Sequence, residues 1–482
     1  MYQAGVGARG GGMRPMTLGQ VAGATGAACE AGFDCAHVRG VSTDSRTIVP
    51  GDLFFAIPGE RFDGHDFVDR AVAGGAAACV VHSDRLADLR RRVGANAMLL
   101  GVDDVVKALG RLASFYRLRM ISPTTVVVAV TGSNGKTTTK QMIDHVLGPS
   151  FAGRASPKSF NNHIGVPLTL LSAEPEDRYL VCELGTNAPG EIASLAAMVS
   201  PNVAVITSIG EAHLEKLGSI DGVAIEKTSL LDFVRPGGMS LVNIDRIEVR
   251  RHLRRAPGTR LLTFGFDPTA DRPVKVVNSS CDRTVFEVSD RFGVTLNMPG
   301  HHHATNAASA FVVAHWFGIA PEDIAARLAT FTPMEGRTHV IEWEGLTIID
   351  DAYNANPSST LAAVEVFRFD SSRRRIFVFG DMLELGGYSA SLHRRVADAL
   401  LSSGIEVVVG VGEAATAALR DRSSGASNSR VICCRNPESV VGALSGVLLE
   451  GDRVWVKGSR GMALDKVVGG IQSSYRRQAA VA

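Results

Sequence analysis

Short apolar runs separated by turn signals recur along the whole chain, and they fall into three groups. In the first group the runs lie at 53–57, 78–81 and 97–100 between Gly-rich turns, and the stretch 105–118 reads as a helix. Ile121-Ser-Pro-Thr-Thr125 closes this group as a linker, because Pro123 disfavours helix in the residue before it. The second group opens with Val126-Val-Val-Ala-Val130, a continuous apolar run that suits a strand covered on both faces, as in a parallel sheet. Similar runs at 179–184, 203–208 and 240–243 are separated in part by helical stretches. Residues 258–298 look richer in strands, and helices are expected at 304–316 and from Pro321. The third group alternates again, with strand-like runs at 346–350, 375–379, 406–409, 430–433 and 453–456, and helices including 357–367, 391–401 and 437–448.

The expected fold class is therefore α/β in three domains: a small mixed α/β N-terminal domain at 16–122, a central P-loop ATPase-like parallel-sheet domain at 123–333, and a Rossmann-like C-terminal domain at 334–482. Residues 1–15 read as a disordered tail, or as sequence upstream of a true start at Met13 or Met16. The length of 482 residues agrees, at about 150 residues per domain. A net charge of +1 argues against a bulk nucleic-acid binder, which needs a surplus of clustered Lys and Arg. It leaves room for an anionic substrate held by a few local groups. No apolar run of about 18 residues is long enough to span a membrane, and the N-terminus lacks the apolar core of a secretion signal. The seven scattered Cys form no C-x-x-C, which points to reduced thiols in a cytoplasm.

The 51 Gly exceed the usual share and suggest tight strand–helix turns, where α/β enzymes bind phosphate. One such turn is Thr131-Gly-Ser-Asn-Gly-Lys-Thr-Thr-Thr139, between the 126–130 strand and an expected helix at 140–147. Backbone N–H groups of Gly132, Ser133, Asn134, Gly135 and Thr138 would face phosphate, Lys136 would reach the outer phosphates, and Thr137 would ligate Mg²⁺. Val130 stands where the longer phosphate-loop pattern has its first Gly. Glu183 and His213 fall at or just beyond the C-terminal ends of expected parallel strands, beside this loop. Together they suit a divalent ion; position alone leaves a surface Glu and a solvated loop His equally open. Lys227, on an expected helix at 222–231, has nothing in its setting to separate it from a solvated lysine. The adjacent histidines 301–303 point in different directions in a turn, which favours a structural or ligand-contacting role over a His₃ metal site.

These motifs resemble the Mur ligases from about Met16 to Lys466. Thr131–Thr139 is similar to that family's shortened phosphate loop, Val130 included. Further motifs run in the same order: Thr43-Asp-Ser-Arg46, Pro58-Gly-Glu-Arg-Phe-Asp-Gly-His65, Ser159-Phe-Asn-Asn-His-Ile-Gly165, Glu183-Leu-Gly-Thr-Asn187, Asp350-Asp-Ala-Tyr-Asn-Ala-Asn-Pro357, Gly380-Asp-Met-Leu-Glu-Leu-Gly386 and Lys457-Gly-Ser-Arg-Gly461. The resemblance implies an ATP- and Mg²⁺-dependent ligase (two ions); a monomer is the expected state. Its substrates would be UDP-N-acetylmuramoyl-tripeptide and D-alanyl-D-alanine, joined through an acyl phosphate. It implies that Lys136 contacts the γ-phosphate, Thr137 holds one Mg²⁺, and Glu183 and His213 hold the second. Lys227 matches a lysine that becomes carbamylated and then acts as an anionic metal-site ligand. Asn306 would contact adenine, Arg337 would reach the ATP phosphates, and Asp351 would lie near the ribose. Ser45 and Arg46 would hold the UDP part, and Asn161 and Asn162 would face the UDP-sugar-peptide. Tyr353, Asn354, Asn356, Lys457, Ser459 and Arg460 would line the dipeptide side of the cleft.

Two departures stand out. The run Ile225-Glu-Lys-Thr-Ser229 looks more like the related folylpolyglutamate synthases, and Gly300-His-His-His-Ala-Thr-Asn306 has His303 where the family pattern has Asn. A folylpolyglutamate synthase-like ligase and a catalytically silent nucleotide-binding regulator are the two alternative readings. The presence of Glu183, His213 and Lys227 together argues against the silent one.

Overall fold

The computed structural model describes residues 13–27, 35–370, 373–423 and 428–479. The expected N-terminal tail lies outside the described residues up to position 12, as does Cys29. Met13 is buried, and the Arg14 backbone N–H donates to the Tyr116 hydroxyl at 2.7 Å.

The central sheet grows outward from Val126–Thr131. Successive side chains of a strand point to opposite faces, and here both faces are covered. Val127 and Ala129 enter one apolar core, while Val128 and Val130 enter another. That is why the run carries no polar alternation. Tyr179–Glu183 and Val203–Ile206 flank it in parallel, with Val130 opposite Glu183 and Thr131 opposite Ile206. Gly153–Ala155 forms one edge, and Met239–Asn243 and Arg260–Gly265 extend the other. Arg272–Ser279, Thr284–Val288 and Phe292–Leu296 then add an antiparallel meander. The phosphate loop leaves the middle of this sheet at its C-terminal edge, the position where doubly wound sheets bind ligands.

The N-terminal domain is a four-stranded parallel sheet in the order Gly40–Ser42, Asp52–Phe55, Ala78–His82, Leu99–Val102. Its Leu53 and Phe55 share a core with Val127 and Ala129. Helix Val105–Arg119 joins them by burying Leu109, Leu112 and Tyr116 in that core. Each such side chain contributes about 1.5–3 kcal/mol, so the first two domains form one packed body. Buried Arg117 adds a polar tie, donating to the Val199 and Ser200 carbonyls and to Asn202 Oδ1, each at 2.9 Å.

The C-terminal sheet runs His339–Trp343, Leu346–Asp351, Arg453–Lys457, Arg375–Gly380, Val407–Val411, Arg430–Cys434. The first pair is antiparallel and the rest are parallel. Phe377 and Phe379 face one core, and Ile376 and Val378 face the other. This domain has cores of its own. Leu392 of helix Ser389–Ser402 packs on the central-domain cluster that holds Leu214 and Leu217, and Arg395 beside it pairs with Glu211 at 3.0 Å. Two further contacts join the domains. One is the polar cleft described below. The other is the tip of the hairpin between Arg272–Ser279 and Thr284–Val288, whose Cys281 packs into the third-domain core with Ile349 and Phe367. Beside it Asp282 pairs with Arg453 at 2.8 Å, and Arg453 pairs with Asp370 at 2.5 Å. Burial, with the Asp370 charge adding, pushes the Cys281 thiol up to about 12. Timed alkylation read by mass spectrometry should therefore modify Cys281 at least about 100-fold more slowly in the native protein than in denaturant. Equal rates would contradict the docking.

Four elements differ from the sequence expectation. The phosphate-loop helix is Lys136–Leu147, so Lys136 and Thr137 lie in its first turn. The helix around Lys227 is Ile220–Thr228 and tightens into a 3₁₀ turn at Ser229–Phe233. Strands Gly153–Ala155 and His339–Trp343 were not legible in the pattern: one is three residues long, the other is an edge strand without buried residues.

Candidate active site

A cavity of about 620 Å³ opens between the central and C-terminal domains at the end of Val126–Thr131. Its floor is the phosphate loop. Gly132 and Gly135 have φ of +152° and +80°, and a Cβ there would come within 2.0 Å of Thr207 Oγ1 and 2.2 Å of Asn306 Oδ1. The loop is pinned from below, with the Ser133 N–H donating to the Ser208 carbonyl (2.8 Å) and the Asn134 N–H to Ser208 Oγ (3.0 Å). Lys136 folds back so that Nζ donates to the Gly132 carbonyl at 2.8 Å. Glycines, a lysine and a helix N-terminus converge here, the arrangement that binds phosphate through backbone N–H groups.

Glu183 is the hub of the floor. Its carboxylate accepts from Thr137 Oγ1 and Asn161 Nδ2, each at 2.9 Å, and pairs with Lys140 Nζ at 3.4 Å. Lys140 also donates to the carbonyls of Ser156 (2.7 Å) and Lys158. Desolvation would raise the Glu183 carboxyl, but the charges of Lys140, Lys136 and Arg337 outweigh it and hold it below the usual carboxylate range. Arg337 closes the group by donating from Nη2 to Thr137 Oγ1 at 3.2 Å.

Lys227 is fully buried behind this floor, off the cavity wall, and its Nζ has no hydrogen-bond partner. Burial, with the Lys136 charge adding, holds it well below the usual lysine range. Its neighbour Glu226 accepts from the Gly190 N–H (2.7 Å), the Ile192 N–H (2.8 Å) and Thr186 Oγ1 (3.2 Å), which ties the Lys227 helix to the loop after Glu183. His213 lines the cavity at a left-handed φ of +55°, its Nδ1 2.5 Å from Glu384 Oε2 of the C-terminal domain. The hydroxyl of Thr137 and the Glu183 carboxylate are hard oxygen donors of the kind Mg²⁺ takes. Among the described residues no three His, Cys, Asp or Glu side chains converge as a ready metal cage.

The C-terminal domain forms the opposite wall. Asn356 caps helix Pro357–Arg368 and donates to Asn134 Oδ1 at 2.6 Å, and Asn134 donates to Ser358 Oγ at 2.9 Å. Lys457 donates to Asp351 Oδ2 (2.6 Å) and to the Asn354 carbonyl (3.2 Å). Tyr353 lies between two guanidinium groups, Arg337 at 3.8 Å and Arg460 at 5.4 Å from its ring centre. Ser459 Oγ bridges the Ala355 carbonyl (3.2 Å) and the Leu383 N–H (2.9 Å).

The cavity therefore gathers Ser133, Asn134, Gly135, Lys136, Thr137, Thr138, Asn161, Asn162, Glu183, His213, Asn306, Arg337, Asp351, Tyr353, Asn354, Asn356, Lys457, Ser459 and Arg460. Ser45 and Arg46 lie outside it: Arg46 is exposed and paired with Asp44 at 2.6 Å. Sequence reasoning missed Lys140, Glu226, Ser358 and Glu384. Lys140 had a signal, being one helical turn after Lys136. The other three are placed by contacts between segments distant in sequence, which leave no local pattern.

Residues 37–117 match the Mur ligase family catalytic domain, residues 130–314 the Mur ligase middle domain, and residues 336–460 the Mur ligase glutamate ligase domain. The chain belongs to the Mur ligase family, whose members are ATP-dependent ligases. Among its relatives is the UDP-N-acetylmuramoyl-tripeptide–D-alanyl-D-alanine ligase of Bacillus subtilis (strain 168), 34% identical over 89% of this chain and 92% of the relative. Among solved structures, MurF from Acinetobacter baumannii superposes with a TM-score of 0.84 at 29% identity, covering 96% of this chain and 99% of that one. The MurF ligase from Thermotoga maritima in complex with ADP gives 0.75 at 27% identity, over 91% and 98%. Among the described residues no helix is long and apolar enough to cross a membrane.

Proposed function

We propose that this chain joins D-alanyl-D-alanine to UDP-N-acetylmuramoyl-tripeptide at the expense of ATP, in the assembly of peptidoglycan precursors, as a cytoplasmic monomer. The observation that carries this reading is the likeness to the Bacillus subtilis ligase over nearly the whole of both chains. The folylpolyglutamate synthase-like and silent-regulator alternatives are not favoured.

In this reading the backbone N–H groups at 132–138 and Lys136 bind the ATP phosphates. Asn306 meets the adenine and Asp351 the ribose. Thr137, Glu183, His213 and carbamylated Lys227 would hold two Mg²⁺ ions, which when bound offset phosphate charge and polarise the γ-phosphate. The buried, unpartnered Lys227 amine supports this role, because burial lowers its pKa and so favours the neutral form that adds carbon dioxide. Ser45 and Arg46 take the UDP end. Asn161 and Asn162 face the sugar-peptide, and Tyr353, Asn354, Asn356, Lys457, Ser459 and Arg460 face the dipeptide. The tripeptide's terminal carboxylate attacks the γ-phosphate, giving an acyl phosphate and ADP. Lys136 and Arg337 counter the repulsion of the two anions. The dipeptide amine then displaces phosphate through a tetrahedral intermediate. Closure of the C-terminal domain over the cavity shields the acyl phosphate from water.

The test is phosphate release from ATP with UDP-N-acetylmuramoyl-tripeptide, with and without D-alanyl-D-alanine. Sustained release requiring all three substrates is expected. Turnover with a folate and glutamate instead, or none at all, would refute the reading.

A further inference from the structure

Thr338 adopts a backbone conformation that β-branched residues rarely take, with φ at +60°. It is buried and stands just before strand His339–Trp343, where the chain passes from the central into the C-terminal domain. The residue before it is Arg337, which reaches Thr137 and covers the Tyr353 ring. In the left-handed region Cβ crowds the following carbonyl, so the conformation persists only where surrounding contacts over-determine it. Up to Arg337 those contacts are made by the backbone N–H and C=O groups of residues 336 and 337. Gly336, also left-handed at +75°, donates to Asp350 Oδ2 (2.8 Å) and accepts from the Tyr353 N–H (3.1 Å), and the Arg337 N–H donates to the Met334 carbonyl (3.1 Å). For Thr338 the holding contact is its side chain, with Oγ1 3.2 Å from His303 Nε2.

His303 sits on the buried face of helix His302–Trp316 in the central domain. Its ring packs 4.1 Å from that of His302, and its Nδ1 lies 3.3 Å from Asn306 Nδ2. Burial, with the Lys457 and His301 charges adding, lowers its pKa to about 3. A neutral imidazole has one donor and one acceptor, so it can serve both Asn306 and Thr338. We propose that His303 is a positioning residue that clamps Thr338 in its left-handed conformation and thereby holds Arg337 over the phosphate loop. The inference rests on the ligase reading for its kinetic consequence, and on the hinge geometry for its cause.

The experiment uses the full-length protein. His303→Phe keeps a ring against His302 and removes both hydrogen bonds. Arg337 acts on charge that develops in the transition state, so kcat is expected to fall about tenfold while KM for ATP moves less than about twofold. Thr338→Val, which loses only the hydroxyl, should show the same split. Adding Thr338→Gly to His303→Phe should restore most of kcat, because glycine takes this φ without a clamp. Wild-type kcat in His303→Phe, a loss confined to KM for ATP, or no recovery in the double variant would each overturn the inference. A crystal structure of His303→Phe reads the hinge directly: Thr338 leaving the left-handed region supports the clamp, and Thr338 staying near φ +60° refutes it. That arm holds whether or not the wild type ligates, so failure of the clamp and failure of the ligase reading are told apart.

Discussion

Replacing Lys227 with Met should abolish ligation, lowering kcat by at least about 10³-fold, and at the same time make the protein more resistant to unfolding. Both effects come from one orphaned amine. Folded, Lys227 is buried without a partner and held well below its usual pKa of 10.5; unfolded, it is an ordinary protonated lysine. Between the two values the unfolded state binds one proton more than the folded state, so this group's contribution to stability rises as pH rises through that window. At neutral pH the group is therefore a burden on folding. Met fills similar volume and carries no charge in either state. Denaturant midpoints at neutral pH, taken without added bicarbonate so that the wild-type amine is free, should be higher for Lys227→Met, and the gap should close as pH approaches 10.5. In the wild type, ¹³C-bicarbonate should give a carbamate signal that the variant lacks. Retained phosphate release in Lys227→Met would rule out a catalytic role for this lysine, and a lower midpoint would contradict the burial argument.

Glu183→Ala should be damaging in two separable ways. The carboxylate is the counter-charge of Lys140, and both side chains are 1% exposed. Removing one partner of a buried pair costs about 3–5 kcal/mol, because the other charge is stranded. Ligation should also fall below detection, since Thr137, Asn161 and Arg337 are organised around the same carboxylate. Adding Lys140→Met should recover much of the stability without recovering turnover. The pH dependence carries its own sign. Glu183 is held below its usual 4.5, so its contribution is fully present above 4.5 and is lost as pH falls through the lower, folded value. Glu183→Gln should therefore flatten the acid limb of stability below pH 4.5 relative to wild type. An unchanged acid limb, or a stable Glu183→Ala protein with normal midpoints, would show that the pair contributes little.

Much of this site was legible before the fold. Lys136 and Thr137 follow from a glycine-rich turn between a strand and a helix, a local pattern with a local cause. Glu183 could be placed near them because a parallel sheet brings the C-terminal ends of its strands to one edge, and the pairing of Val130 with Glu183 bears out that geometry. Lys227 was not legible from its own neighbourhood. Its exceptional state is a burial effect, and burial belongs to the whole fold. The same holds for His303, which in sequence is one histidine in a row of three. In the structure it is the contact between a central-domain helix and the strained residue that opens the C-terminal domain.

By itself the sequence determined the period-two and helical patterns that make three α/β domains, the phosphate loop, and the order of motifs shared with the Mur ligases. These depend on residues near one another in the chain. Tertiary structure alone decided which domain is joined to which. The first two share an apolar core, while the third rests on polar contacts, one hairpin tip and the packing of Leu392 on the central domain. It also decided that Lys140 answers Glu183, that Lys227 is left without a partner, and that Arg337 arrives over Thr137. Charges, hydrogen bonds and desolvation act over ångströms in space, and folding brings together residues as far apart in this chain as Asn134 and Ser358, 224 positions from each other.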